Sequence, residues 1–230
     1  MTDANRLGPL ASLQRSQHMA ADAIIAVDRS TPTSAAARTR PGAILLTRHG
    51  EPAISRKVKL SASGYVDFWA EYEETGIWPD HSPPAGLVAS AQGAAQILCS
   101  TRLRSIETAR AVAGDRPFEI LVELVEAPLP PPAWPSWIRL SPRTWGVIAR
   151  GWWWFFDHHE DGQESRDEAE ARADAIAGRL VELAEQGGDV LVLAHGFFNT
   201  MIGWSLKRRG WKLTEDQGFH YWKSRRFERR

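Results

Sequence analysis

Two apolar runs stand out along the chain, Ile44-Leu45-Leu46-Thr47 and Val190-Leu191-Val192-Leu193-Ala194. Neither alternates apolar with polar positions, and both are short, which suits strands buried on both faces of a mostly parallel sheet. The full pattern predicts strands near 43–48, 96–100, 117–124 and 189–194, and a short aromatic strand near Phe219 to Trp222. Helical spacing of apolar positions falls between them, over 64–75, 85–96, 101–113, 165–186 and 199–209. The fourth helix has the clearest ends: Ser165 and Glu168 form a capping box, and Gly187-Gly188 closes it. Its apolar stripe is Ala169, Ala173, Ile176, Ala177, Leu180 and Leu183 or Ala184. Strands alternating with helices predict an α/β fold with a mostly parallel central sheet and helices on both faces, three layers in all.

Two stretches break the alternation. Residues 1–40 are rich in Ala, Ser, Thr and Arg and poor in large apolar side chains, which reads as a flexible tail. Asp3, Asp22 and Asp28 argue against a transit peptide there. Residues 128–156 hold six prolines and six tryptophans, so no continuous helix is expected across them. They predict an irregular insert folded over the sheet edge as a lid, inside a catalytic domain spanning 41–230.

Composition narrows the function. Lys+Arg and Asp+Glu both total 28, so nothing in the net charge suggests a nucleic-acid partner. The acidic 157–174 and basic 207–230 segments are expected to pair or to sit solvated. Cys99 is the only cysteine, which rules out internal disulfides and points to a reducing, cytoplasmic setting. No apolar run reaches the length of a membrane span.

Both central runs end in histidine, at Arg48-His49-Gly50 and His195-Gly196. The C-terminal ends of parallel strands are where open α/β sheets bind ligands. A neutral imidazole with one ring nitrogen tied to an acceptor can attack phosphorus with the other, and nearby cations balance the phosphoryl oxygens. Arg102 and Arg104, one of which can face the same edge, open the helix after the second strand. An acid is then needed for the leaving oxygen; Glu126, just after the apolar run ending at Leu124-Val125, is at the right edge, and Glu123 is the competitor. His158-His159 reads as part of a solvated acidic loop rather than a metal site, and no cofactor is implied. His18, His81 and His220 are expected at the surface.

Taken in order, Arg48-His49-Gly50-Glu51, Arg104-Ser105-Ile106-Glu107-Thr108-Ala109, Leu124-Val125-Glu126 and Ala194-His195-Gly196 resemble the histidine phosphatase superfamily, which includes the cofactor-dependent phosphoglycerate mutases. Gly162-Gln163-Glu164-Ser165 is a looser match to the family's helix-opening Gly-Glu-Ser. The resemblance implies a phosphoglycerate mutase-like fold, with His49 as the phosphorylated nucleophile and Arg48, Arg104, His195 and Gly196 as the phosphate pocket. It implies Glu126 as the proton donor, with Glu123 fitting the same spacing. Ser55 stands where mutases place a pocket asparagine.

The expected function is a metal-independent phosphomonoesterase acting on a small phosphorylated metabolite. A phosphoglycerate mutase, a protein phosphohistidine phosphatase and a non-catalytic binding module of the same fold are the alternatives. The first two share the nucleophile, and a mutase needs further basic residues at the site. The Trp/Pro-rich insert is expected to suit a less charged or aromatic leaving group.

Overall fold

In the computed structural model, which describes residues 40–160 and 162–229, the two apolar runs lie side by side. β1 (Ile44–Arg48) and β4 (Val190–Ala194) pair in parallel, with Arg48 opposite Ala194, so both runs finish at one edge. β2 (Gln96–Ser100) pairs with β4, and β3 (Glu119–Leu121) pairs with β2, both in parallel. On the other side of β1 an antiparallel hairpin of β5 (Lys212–Asp216) and β6 (Ser224–Glu228) extends the sheet. The strand order is β3-β2-β4-β1-β6-β5.

The hairpin is the main departure from the expected strands. Its sequences, Lys-Leu-Thr-Glu-Asp and Ser-Arg-Arg-Phe-Glu, lie at the sheet edge and carry no apolar run to betray them. The aromatic residues 219–222 instead form the connection between β5 and β6, and Trp222 adopts φ 63°, a left-handed turn conformation foreign to a strand. The expected strand at 117–124 is also shorter: a single 3₁₀ turn, Val122–Leu124, replaces its second half.

Helices lie on both faces, because alternate strand residues feed two separate cores. Ile44, Leu46, Val190 and Val192 pack with α5 (Arg166–Glu185) and α6 (Gly196–Arg208). Leu45, Leu191, Leu193 and Cys99 pack with α2 (Ala85–Gly93) and α3 (Leu103–Ala113). The expected stripe of α5 is buried, with Ala184 rather than Leu183 completing it, and the Ser165–Glu168 capping box forms. Gly187 and Gly188 follow with φ 105° and 84°, values an L side chain rarely adopts. Across α5 and α6, Asp174 pairs with Arg208 and Arg209, so the acidic and basic segments do meet.

The 128–156 insert corrects the sequence expectation. Its second half is a regular helix, α4 (Pro142–Phe156), with Pro142 in the first turn and Ser141 accepting from the Thr144 N–H. A proline in that position loses no helical hydrogen bond, so it starts the helix rather than forbidding it. Trp145, Ala149 and Trp153 repeat every fourth residue and are fully buried. Trp145 packs with Tyr65 and Ala62 of α1 (Ala62–Glu74), forming a third core. The tail expected over 1–40 lies, except for Arg40, outside the described residues.

Candidate active site

β1 delivers His49 to the sheet edge, where its backbone N–H donates to Ala194 O at 2.9 Å. Its Nδ1 lies 2.7 Å from Gly50 O, so that nitrogen carries the proton and donates. Nε2 is thereby left as the lone-pair nitrogen, and Arg104 Nε donates to it at 3.3 Å. Gly50 is held in turn, its N–H donating to Thr108 Oγ at 2.8 Å while the Thr108 hydroxyl donates to Arg104 O at 2.6 Å. A Cβ on Gly50 would stand 2.3 Å from the Trp222 ring, so only glycine fits.

His195 ends β4 facing His49, with ring centroids 5.3 Å apart. Its Nε2 is 2.9 Å from Ser100 Oγ, and its Nδ1 is 3.4 Å from Arg104 Nη2. Both histidines are buried, and burial is the first cause that drives their pKa values well below the ordinary 6.5. The positive charge of Arg104 is the second cause for each. Both rings are therefore neutral at neutral pH, as a nitrogen nucleophile must be.

Arg104 is fully buried yet satisfied. Beyond the histidines, its Nη1 donates to Tyr72 O at 3.0 Å and its Nη2 pairs with Glu73 at 2.9 Å. Arg102, pointing elsewhere from the same turn, reaches the same Glu73 carboxylate at 2.6 Å. Arg48 lies 4.2 Å above the Tyr221 ring and donates to Phe219 O. Gly196 begins α6 against Arg48; a Cβ there would touch its side chain at 3.4 Å.

Glu126 sits at the start of α6. Its carboxylate accepts the N–H groups of Phe197 at 3.3 Å and Phe198 at 2.8 Å, which aims it across the first turn of α6. Glu126 lines the same cavity as Arg48, His49, Arg104, His195 and Gly196, a space of about 720 Å³. Glu123 does not: it is exposed in the 3₁₀ turn, and its carbonyl accepts from Arg172. Ser55 is likewise exposed and outside the cavity, accepting only from the Lys57 N–H. The neighbouring Arg56 lines it instead.

The model of the histidine phosphatase superfamily (branch 1) matches residues 44–221. The chain belongs to that superfamily. Among solved structures, it is similar to the Mycobacterium tuberculosis protein of open reading frame Rv3214, with 20% identity, 74% of this chain and 81% of that one covered, and a TM-score of 0.47. It is similar also to the mycobacterial glucosyl-3-phosphoglycerate phosphatase Rv2419c, at 19% identity, coverages of 74% and 81% and a TM-score of 0.46. A putative alpha-ribazole-5'-P phosphatase from Escherichia coli shows 19% identity, coverages of 73% and 79% and a TM-score of 0.45. The chain matches no curated protein.

Several residues at this superfamily site escaped sequence reasoning. Thr108 and Ser100 were within reach of it, since one lies four residues past Arg104 and the other ends a predicted strand. Glu73, Tyr65 and Tyr72 sit on α1 with no local signal, and only packing brings them in. His220 is exposed, as expected, but at the rim of the cavity. The His158-His159 loop follows α4, where His159 Nδ1 approaches Asp157 O at 2.6 Å. Among the described residues, no group of three or more metal-ligating side chains is present. No helix among them is long and apolar enough to cross a membrane.

Proposed function

We propose that this member of an enzyme superfamily is a metal-independent phosphomonoesterase that works through a phosphohistidine on His49. The observation that carries the reading is the tautomer of His49: Nδ1 is committed to Gly50 O, and the Nε2 lone pair sits beside Arg104 in a cation-lined cavity.

In the first step Arg104 Nε passes its hydrogen bond from Nε2 to a phosphoryl oxygen, the freed Nε2 lone pair attacks phosphorus and an N–P bond forms. The ester P–O bond breaks, its electron pair passes to the leaving oxygen, and Glu126 supplies the proton. Arg48 and Arg104 balance the charge on the phosphoryl oxygens. In the second step water attacks phosphorus, Glu126 takes its proton, the N–P bond breaks and inorganic phosphate leaves. His49 regains its lone pair, and Nδ1 keeps its proton throughout.

His49→Ala is expected to abolish hydrolysis of p-nitrophenyl phosphate in EDTA, and brief exposure of the wild type to labelled substrate should trap an acid-labile, alkali-stable phosphoenzyme. Unchanged turnover in the variant would sink the reading. The mutase alternative gains one observation, since Arg56, Arg143 and Arg150 also line the cavity. A coupled phosphoglycerate mutase assay faster than phosphate release would favour it.

A further inference from the structure

Arg48, His49, Arg104, His195 and Gly196 are only part of the lining of a cavity of about 720 Å³, a size at which drug-sized ligands are held. Three more arginines line the same cavity. Arg56 stands 5.0 Å from the Tyr72 ring and 5.4 Å from the Tyr221 ring, the same rings that carry Arg104 and Arg48 at 4.5 and 4.2 Å. Arg143 and Arg150 project from α4 on one face with Gly146 and Val147, at the i, i+3, i+4, i+7 spacing of a helical stripe. Trp145 and Trp153, buried behind that stripe, hold the helix in place.

Arg56, Arg143 and Arg150 have no ion-pair partner among the described residues. Elsewhere on the molecule the contrast is plain: Arg172 pairs with Glu164, Arg179 with Glu119, Arg209 with Asp174 and Arg226 with Asp189. Among the described residues Glu126 is the only acid lining the cavity, and its oxygens accept the α6 N–H groups. Arg104 has Glu73 to offset its charge, but Arg56, Arg143 and Arg150 share the space without such a partner among the described residues, a cost that a bound anion removes.

A second observation lies at the same place. Tyr65 is 1% exposed, lines the cavity, and its hydroxyl has no hydrogen-bond partner. That oxygen lies 3.5 Å from where a Cβ of Gly146 would stand, beside Arg150 Nη1 at the same distance. A buried hydroxyl left open against an arginine stripe is placed to donate to a ligand oxygen. The flanking surface is aromatic, with Trp69 and Phe197 on the wall and Arg150 5.9 Å from the Phe197 ring.

We propose that the substrate is a phosphomonoester whose alcohol portion is a flat ring bearing a second anionic group, held by Arg143, Arg150 and the Tyr65 hydroxyl, with Arg56 between the two ends. This rests on the phosphatase reading above and adds the chemistry of the leaving group. A carboxylate and a phosphoryl group satisfy a forked guanidinium equally.

The test uses phenyl and biphenyl phosphates, each unsubstituted or carrying a 4-carboxylate, a 4-phosphonate or a 4-trimethylammonium group. On at least one frame the full-length protein is expected to show kcat/KM about 10-fold or more above the neutral parent for an anionic probe, and no gain for the cationic one. The carboxylate and phosphonate arms tell which anion is preferred. In an R143Q/R150Q double variant that ratio should fall about 10-fold, mainly through KM, and R143E/R150E should turn the preference toward the trimethylammonium probe. A ratio near one on both frames in the wild type, or one untouched in the double variant with an unchanged melting temperature, overturns the inference. In that case His49-dependent turnover of phenyl phosphate leaves the phosphatase reading standing, whereas absence of a phosphoenzyme on His49 removes both.

Discussion

His49 shows how little of a residue's chemistry lies in the residue itself. Which ring nitrogen carries the lone pair is selected by one carbonyl, Gly50 O, and the ring is kept unprotonated by burial and by Arg104. His195 is held neutral the same way. Below histidine's ordinary value the unfolded chain takes up protons that the folded chain refuses, so stability falls with pH from about 6.5 downward and is level above it. Each histidine contributes a slope of up to about 1.4 kcal/mol per pH unit in that window. Asp174, lowered to about 2 by its hydrogen bond from Arg209, acts at much lower pH and does not confuse the measurement. Urea unfolding across mildly acid pH should lose part of its slope in His195→Ala; an identical slope contradicts the neutral assignment. The acid limb of kcat/KM, which reports the folded enzyme, should lie well below pH 6.5. Glu126→Gln is expected to lower kcat about 100-fold on alkyl phosphates and less on p-nitrophenyl phosphate, whose leaving oxygen needs no proton. Glu123→Gln, outside the cavity, should match the wild type; a reversed pair would return the acid role to Glu123.

At the scale of elements, the strand ends and the helix faces divide the labour. β1, β4 and α5 were legible because each carries its own signal: unbroken apolar runs, or a capping box and an alanine-rich stripe. α4 was hidden because its proline sits where a helix tolerates one, and density of prolines upstream masked the four-residue period of Trp145, Ala149 and Trp153. That helix carries one wall of the cavity, so its anchoring sets the site's shape. Trp145 is fully buried and donates from its ring to Leu60 O at 2.7 Å; replacing it with alanine should cost about 3–5 kcal/mol in unfolding free energy. A cost below 1 kcal/mol by denaturant titration would show that α4 is not held by that side chain. The turn at Gly50 offers a second check, since Gly50→Ala must displace the Trp222 ring, itself in a left-handed conformation. Loss of activity with both histidines intact is the expected result, and full activity would mean that Trp222 moves freely.

For the whole molecule the balance of 28 basic and 28 acidic residues conceals a local excess, because Arg56, Arg143 and Arg150 in the cavity lack, among the described residues, the ion-pair partners that other arginines have on α5 and α6. The field at the mouth should draw anions in, so raising ionic strength should raise KM for a dianionic substrate while kcat stays level. A salt-independent KM would argue that these arginines are fully screened by solvent. The sequence by itself determined the central strand runs and the superfamily motifs that single out His49, Arg104 and His195 as candidates, because each depends on residues adjacent in the chain. Only the tertiary structure decided that Glu126 rather than Glu123 lines the cavity with His49, that Glu73 clamps both arginines of α3's first turn, and that Arg56, Arg143 and Arg150 share that cavity. Those are contacts between distant segments, and no local pattern encodes which side chains packing will bring together.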